Sequence, residues 1–133
     1  ETLIQFSRTY IYTTALPPAC AAAALQSLSI IKEQPERRQH LQDLIAYFRK
    51  AINDLDFNVL PSTTAIQPII IGDSEKTLAL SQALLNAGLL VTAIRPPTVP
   101  MGTARLRITL TAAHSFSQID QLIDVLRQHT HLA

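Results

Sequence analysis

The sequence predicts an α+β fold, a small, mostly antiparallel sheet covered by helices on one face. Three observations lead there. Leu41, Leu44, Ile45, Phe48 and Ile52 recur at spacings of three and four, the period of a helix with one buried face. From Arg105 the pattern changes to strict alternation, with Arg105, Arg107, Thr109 and Thr111 on one side and Leu106, Ile108 and Leu110 on the other. That is the period of a half-buried strand. Along the chain the elements read helix, helix, strand, helix, strand, strand, helix.

The elements follow in order. Residues 1–7 read as the tail of a preceding element. Residues 9–13 (TYIYT) are β-branched and aromatic and read as a short strand. Pro17 and Pro18 open a helix over 19–32, because a first helical turn needs no amide donors. This helix is apolar almost all round, which predicts a place between other elements. Pro35 and Glu36 open a second helix that runs to about Leu55, with Arg37, Arg38, Asp43, Arg49 and Lys50 as its wet face. His40 on that helix reads as a solvated residue. Residues 53–62 form a loop with Pro61 as breaker. Residues 65–71 (AIQPIII) form a strand in which Pro68 marks an edge or a bulge.

Gly72, Asp73 and Ser74 turn the chain and cap a helix. Leu78, Leu80, Ala83, Leu84 and Leu85 pack that helix down, and Gly88 ends it. The strand at 89–94 stops at Pro96 and Pro97, which donate no ladder hydrogen bond. Pro100 and Gly102 bring the chain back into the strand at 106–111. Ser115 or Ser117 caps a last helix with a buried stripe of Ile119, Leu122, Ile123, Val125 and Leu126. His129 and His131 fall in a polar tail, and four scattered histidines make no metal site.

Composition narrows the function. A chain of 133 residues suffices for a domain with its own core, and 47% hydrophobic against 16% charged residues reads as globular. The net charge of +1 comes without any basic run, which argues against nucleic acid as a partner. The single cysteine, Cys20, excludes an internal disulfide and a Cys-rich metal site. Its setting among alanines reads as a small apolar helix residue and not a nucleophile. The longest low-charge run, 11–31, contains Pro17 and Pro18 and several polar residues, so it predicts no membrane span. It also lacks the basic flank of a secretion signal, which makes the cytosol the expected compartment. The opening at Glu1, without Met and close to a strand-like segment, predicts the end of a longer polypeptide.

Two stretches carry the chemistry. The run IRPPTVPMGTARLRITLTAAH at 94–114 resembles the carboxy-terminal signature of the 8-amino-7-oxononanoate synthases. These are a branch of the α-oxoamine synthases, pyridoxal-phosphate enzymes of fold type I. Branches that make 5-aminolevulinate, 2-amino-3-oxobutyrate and the sphingoid base share the looser form P-x-V-P-x-G-x-x-R-x-R. The double proline and the T-A-R-L-R-x-T-L-T-A-A-H run point to the oxononanoate branch. RTYIYTTALPP at 8–18 is similar to a second family segment, in the order the family requires.

The resemblance implies the carboxy-terminal domain of a fold-type-I transferase. Residues 1–18 would end the large cofactor domain, 19–55 would be linking helices and 56–133 the α+β domain. It implies an acyltransferase of biotin biosynthesis. L-Alanine would condense with a pimeloyl thioester of coenzyme A or acyl carrier protein, with loss of carbon dioxide. Pyridoxal 5'-phosphate would supply the electron sink.

In the family, the residue matching Arg107 grips the amino-acid carboxylate, a task suited to the two parallel donors of a guanidinium. Thr98 matches a threonine that contacts substrate. Arg95 reads either as a contact for the anionic acyl substrate or as a plain strand-end arginine. Arg105 shares the face of Arg107, and two guanidiniums in one site repel, so Arg105 is expected to pair with a carboxylate elsewhere.

Thr13 and Thr14 match residues that approach the cofactor phosphate of the neighbouring subunit, where hydroxyls, amides and a helix dipole favour a dianion. A homodimer with a shared active site follows. The family's cofactor lysine, the aspartate at the pyridine nitrogen and the cofactor histidines lie upstream of these segments. Lys32, Lys50 and Lys76 all sit on helical patterns, so the chain is expected to be the last third of the enzyme and inert alone. The alternatives are a glycine-using α-oxoamine synthase or a stand-alone dimerisation or ligand-binding domain.

Overall fold

Pro35 closes the first of two units in the computed structural model, which describes residues 1–133: Glu1–Pro35 and Glu36–Ala133. The first unit contains α1 (Thr2–Phe6), α2 (Arg8–Ile11) and α3 (Pro18–Glu33). The expected strand at 9–13 is therefore mostly helical. The Tyr10 and Ile11 amides both donate to the Ser7 carbonyl at 2.9 Å, and the Thr13 hydroxyl closes the turn onto the Thr9 and Tyr10 carbonyls. Strand propensity describes fit to a pleated, half-buried surface; without a neighbouring strand the backbone satisfies itself locally.

Helix α3 starts at its proline as expected, but none of its residues is buried, and Leu25, Leu28 and Ile31 are exposed. Within this unit nothing covers the helix.

The second unit carries the sheet. It runs α4 (Glu36–Ile52), β1 (Asn58–Val59), β2 (Ile66–Gly72), α5 (Ser74–Asn86), β3 (Thr92–Ile94), β4 (Ala104–Thr109), α6 (Phe116–Gln128) and a 3-10 turn at Thr130–Leu132. The strand order is β1-β2-β4-β3 and every pairing is antiparallel. Strands β2 and β3 thus run parallel, with β4 inserted between them. Strand β1, two residues within the expected loop, is too short to leave a periodic trace.

One face of this sheet is the core. Leu106 lies opposite Ile69 on β2 and Ala93 on β3. Leu106, Ile108 and Ile69 bury against Leu44, Ile45, Phe48 and Ile52 of α4, Leu80 and Leu84 of α5, and Ile119, Leu122, Ile123 and Leu126 of α6. Burying each such side chain contributes about 1.5–3 kcal/mol. The fold class is as the sequence predicts.

Pro68 departs from its expected setting, for β2 is an inner strand and the register shift lies at Ile70/Gly72. The Pro68 carbonyl accepts from the Leu60 amide at 3.0 Å, just past the end of β1. Its missing amide points to that same side, where no strand needs it.

Gln67 is fully buried beside it. Its amide group donates to the Thr64 carbonyl at 2.6 Å, and its Oε1 accepts from Arg49 Nη1 at 2.7 Å. His40 is half-buried rather than solvated, with Nε2 2.9 Å from the His114 carbonyl oxygen and its ring edge-on to Phe116. His129 likewise bonds back to the Val125 carbonyl through Nδ1 at 2.8 Å.

Candidate functional site

Alternation in β4 sends Arg105, Arg107 and Thr109 to the sheet face that the helices leave open. Pro68 and Thr92 flank Arg107 from the two neighbouring strands, and Ile70 and Ile94 flank Arg105. No carboxylate stands among them. Arg107 is exposed and makes neither a hydrogen bond nor an ion pair. Two cations without a counter-charge on one surface attract an anion, and the free guanidinium of Arg107 keeps its full donor fork for a carboxylate.

The β3–β4 hairpin carries all three of Arg95, Thr98 and Arg107, the first two on its turn and the last on β4. The Thr98 amide donates to the Arg95 carbonyl at 3.0 Å across the Pro96–Pro97 step, whose peptide is cis. The Thr98 hydroxyl is exposed and unbonded, as is the Arg95 guanidinium. Gly102 (φ +73°) takes the chain back into β4 in a conformation that only glycine adopts freely. Gly72 (φ +87°) likewise takes a left-handed conformation that favours glycine, with the Gly102 carbonyl oxygen 3.4 Å from where a Cβ would lie.

Arg105 has no carboxylate partner, contrary to expectation. Its Nε donates to the Thr103 carbonyl at 3.0 Å and its Nη2 to the Thr103 hydroxyl at 3.1 Å. The turn supplies acceptors at the spacing the guanidinium requires, and no acidic side chain on that face competes. Thr103 is the residue that sequence reasoning missed. The signal was present, since residues two apart in extended chain share a face.

In the first unit Thr13 and Thr14 precede the N-terminus of α3. The Thr13 hydroxyl proton is already engaged, 2.9 Å from the Thr9 carbonyl oxygen and 2.7 Å from that of Tyr10. The Thr14 hydroxyl is exposed without a partner, and the Thr14, Ala15 and Leu16 amides donate to no carbonyl. A phosphate dianion only accepts, so Thr14 and these amides fit it, whereas Thr13 would have to release its carbonyls. For the pyridine ring the fit ends there. Lys32, Lys50 and Lys76 lie in α3, α4 and α5, all exposed.

A cavity of about 220 Å³ is lined by Val91, Ile108, Leu110, His114 and Leu122 among others, and by none of the predicted site residues. No group of three His, Cys, Asp or Glu side chains is placed to hold a metal ion. No helix is long and apolar enough to cross a membrane.

Comparison with known proteins adds independent findings. Residues 1–126 match the family model for aminotransferase class I and II. An 8-amino-7-oxononanoate synthase of Ectopseudomonas mendocina is 54% identical over 128 residues, covering 96% of this chain and 33% of that protein. The solved 8-amino-7-oxononanoate synthase of Francisella tularensis is 31% identical with a TM-score of 0.83, over 97% of this chain and 38% of that one. A serine palmitoyltransferase from S. paucimobilis, solved with a bound PLP–myriocin aldimine, is 29% identical with a TM-score of 0.83, over 93% of this chain and 32% of that one. The chain therefore spans about a third of the length of the curated relatives it matches.

Proposed function

The chain belongs to the aminotransferase class I and II family, and on that footing we propose that it forms the carboxy-terminal third of an 8-amino-7-oxononanoate synthase. The substrates of that enzyme are L-alanine and a pimeloyl thioester, and its compartment is the cytoplasm. Curated relatives named 8-amino-7-oxononanoate synthase, 54% and 55% identical over 96% of the chain, support this branch.

One observation carries the reading. Within a long family-specific run, Arg107 stands unpaired on a sheet face without acidic neighbours. Its guanidinium would take the L-alanine carboxylate through two parallel bonds, which fixes the rotation of the substrate about Cα as well as its position. Thr98, on the proline-stiffened turn of the same hairpin, would offer its hydroxyl to the bound substrate. Thr14 and the free amides after it would hold the phosphate of pyridoxal phosphate in a homodimer with a shared site. The bound cofactor would supply the electron sink for the condensation. Lys32, Lys50 and Lys76 all lie exposed on helices, and the 133 residues alone are expected to be catalytically inert.

The test uses the full-length enzyme with L-alanine and glycine as competing substrates. L-Alanine is expected to be preferred, and Arg107→Met is expected to raise the KM for L-alanine about 10- to 100-fold, the weight of a charged hydrogen-bonded pair. Preference for glycine would overturn the oxononanoate reading. An unchanged KM would overturn the role of Arg107.

A further inference from the structure

Arg105 and Arg107 lie two residues apart on one strand face, yet one guanidinium is bound and the other free. We propose that Thr103 and Arg105 form a brace that holds the 95–103 turn and keeps the Arg105 guanidinium away from the carboxylate site. Both are then positioning residues for the substrate that Arg107 binds, and the proposal rests on that reading of Arg107.

The hydrogen bonds run in one direction. Arg105 Nη2 donates to the Thr103 hydroxyl at 3.1 Å, and that hydroxyl donates to the Pro100 carbonyl at 2.8 Å. The Thr103 amide reaches the same carbonyl at 3.2 Å, while Arg105 Nε holds the Thr103 carbonyl at 3.0 Å. One hydroxyl thus serves as acceptor and donor at once, and successive bonds of this kind polarise one another. Pro100 belongs to the turn that bears Thr98, so the brace ties that turn to the strand carrying Arg107.

It also settles the electrostatic conflict. Same-face residues of a strand are about 6.5–7 Å apart at Cα, within reach of two long side chains. A released Arg105 would compete with Arg107 for the incoming carboxylate or repel its guanidinium. Fixed on Thr103, it adds positive potential without pushing the Arg107 guanidinium off the carboxylate. A weakened hold on the carboxylate appears in KM rather than in kcat.

The experiment uses the full-length enzyme. Thr103→Val keeps the β-branched shape but removes the hydroxyl. Arg105→Lys keeps the charge but cannot span carbonyl and hydroxyl together. Each is expected to raise the KM for L-alanine about 5- to 20-fold with kcat changed less than about twofold. Thr103→Ser is expected to restore the wild-type KM, and the double variant to lose less than the product of the two single effects, because both remove the Nη2–hydroxyl bond. An unchanged KM, multiplying effects in the double variant, or a defect that Thr103→Ser does not rescue would overturn the brace.

If the wild-type enzyme fails to use L-alanine, the functional reading fails separately, and the brace is then judged in the 133-residue chain by NMR. Arg105 Nη2 hydrogens protected from exchange in the wild type and exposed in Thr103→Val, which removes their hydroxyl acceptor, support the brace. Equal exchange in both overturns it.

Discussion

Tyr47 and Asp120 show how much a single exposed pair can impose. The Tyr47 hydroxyl donates to Asp120 Oδ1 at 2.6 Å, and its ring stands edge-on to Phe116 at 5.2 Å. The hydrogen bond to Asp120, with desolvation and the aspartate charge adding to it, holds the Tyr47 hydroxyl above its usual value of 10.0. A group raised on folding stabilises the protein fully below its unfolded pKa and loses that contribution as pH rises through the folded one. The α4–α6 contact made by this pair is therefore expected to persist up to about pH 10 and to weaken above it. Asp120→Asn should move the alkaline titration of Tyr47, followed by its ring resonances, back down toward 10.0. A titration unmoved by that substitution would rule out the hydrogen bond as the cause.

At this scale the sequence spoke unevenly. The alternation of Arg105 and Arg107 was legible, because period two leaves no other arrangement once Leu106 and Ile108 are buried. The partners were not legible. Arg105 found Thr103, and His40 found the carbonyl of His114, 74 residues away. Sequence spacing says which face a side chain shares and nothing about which distant carbonyl waits there.

Elements were legible where a local signal fixed them. Ser115 accepts from the Gln118 amide while the Gln118 side chain accepts from the Ser115 amide, a reciprocal cap at the start of α6. The three-residue spacing of that box is visible in the sequence, and Ser115 was one of two expected caps. Ser115→Ala is expected to cost about 1 kcal/mol, read as a lower urea midpoint at unchanged slope. A midpoint that does not move would mean that α6 is held by its packed face alone.

Elements whose form depends on a neighbour were not legible. TYIYT has strand residues but no strand to pair with, and becomes the turn of α2 and its end. Strand β1 exists only because β2 offers it an edge at Ile69 and Ile70.

For the whole molecule, the two units differ in what holds them. Every residue of the hydrophobic core, and every apolar side chain packed against it, lies in the second unit. That unit closes its core with α4, α5 and α6 over one sheet face, and its only fully buried polar side chains, Gln67 and Thr77, are both hydrogen-bonded. The first unit has three helices of five, four and sixteen residues, none with a buried residue. Isolated helices below about 12–15 residues are marginal in water, and even longer ones take their stability mainly from a packed face.

Residues 36–133 are therefore expected to fold by themselves. Calorimetry should find one cooperative transition with an enthalpy of roughly 60–80 kcal/mol, the value for a domain of about 100 residues. The peptide 1–35 should show little helix by circular dichroism in water. A broad transition without heat absorption in 36–133 would mean that its core is incomplete as drawn. A strongly helical 1–35 peptide would mean that α3, with its run of alanines, is held by intrinsic propensity and needs no covering layer.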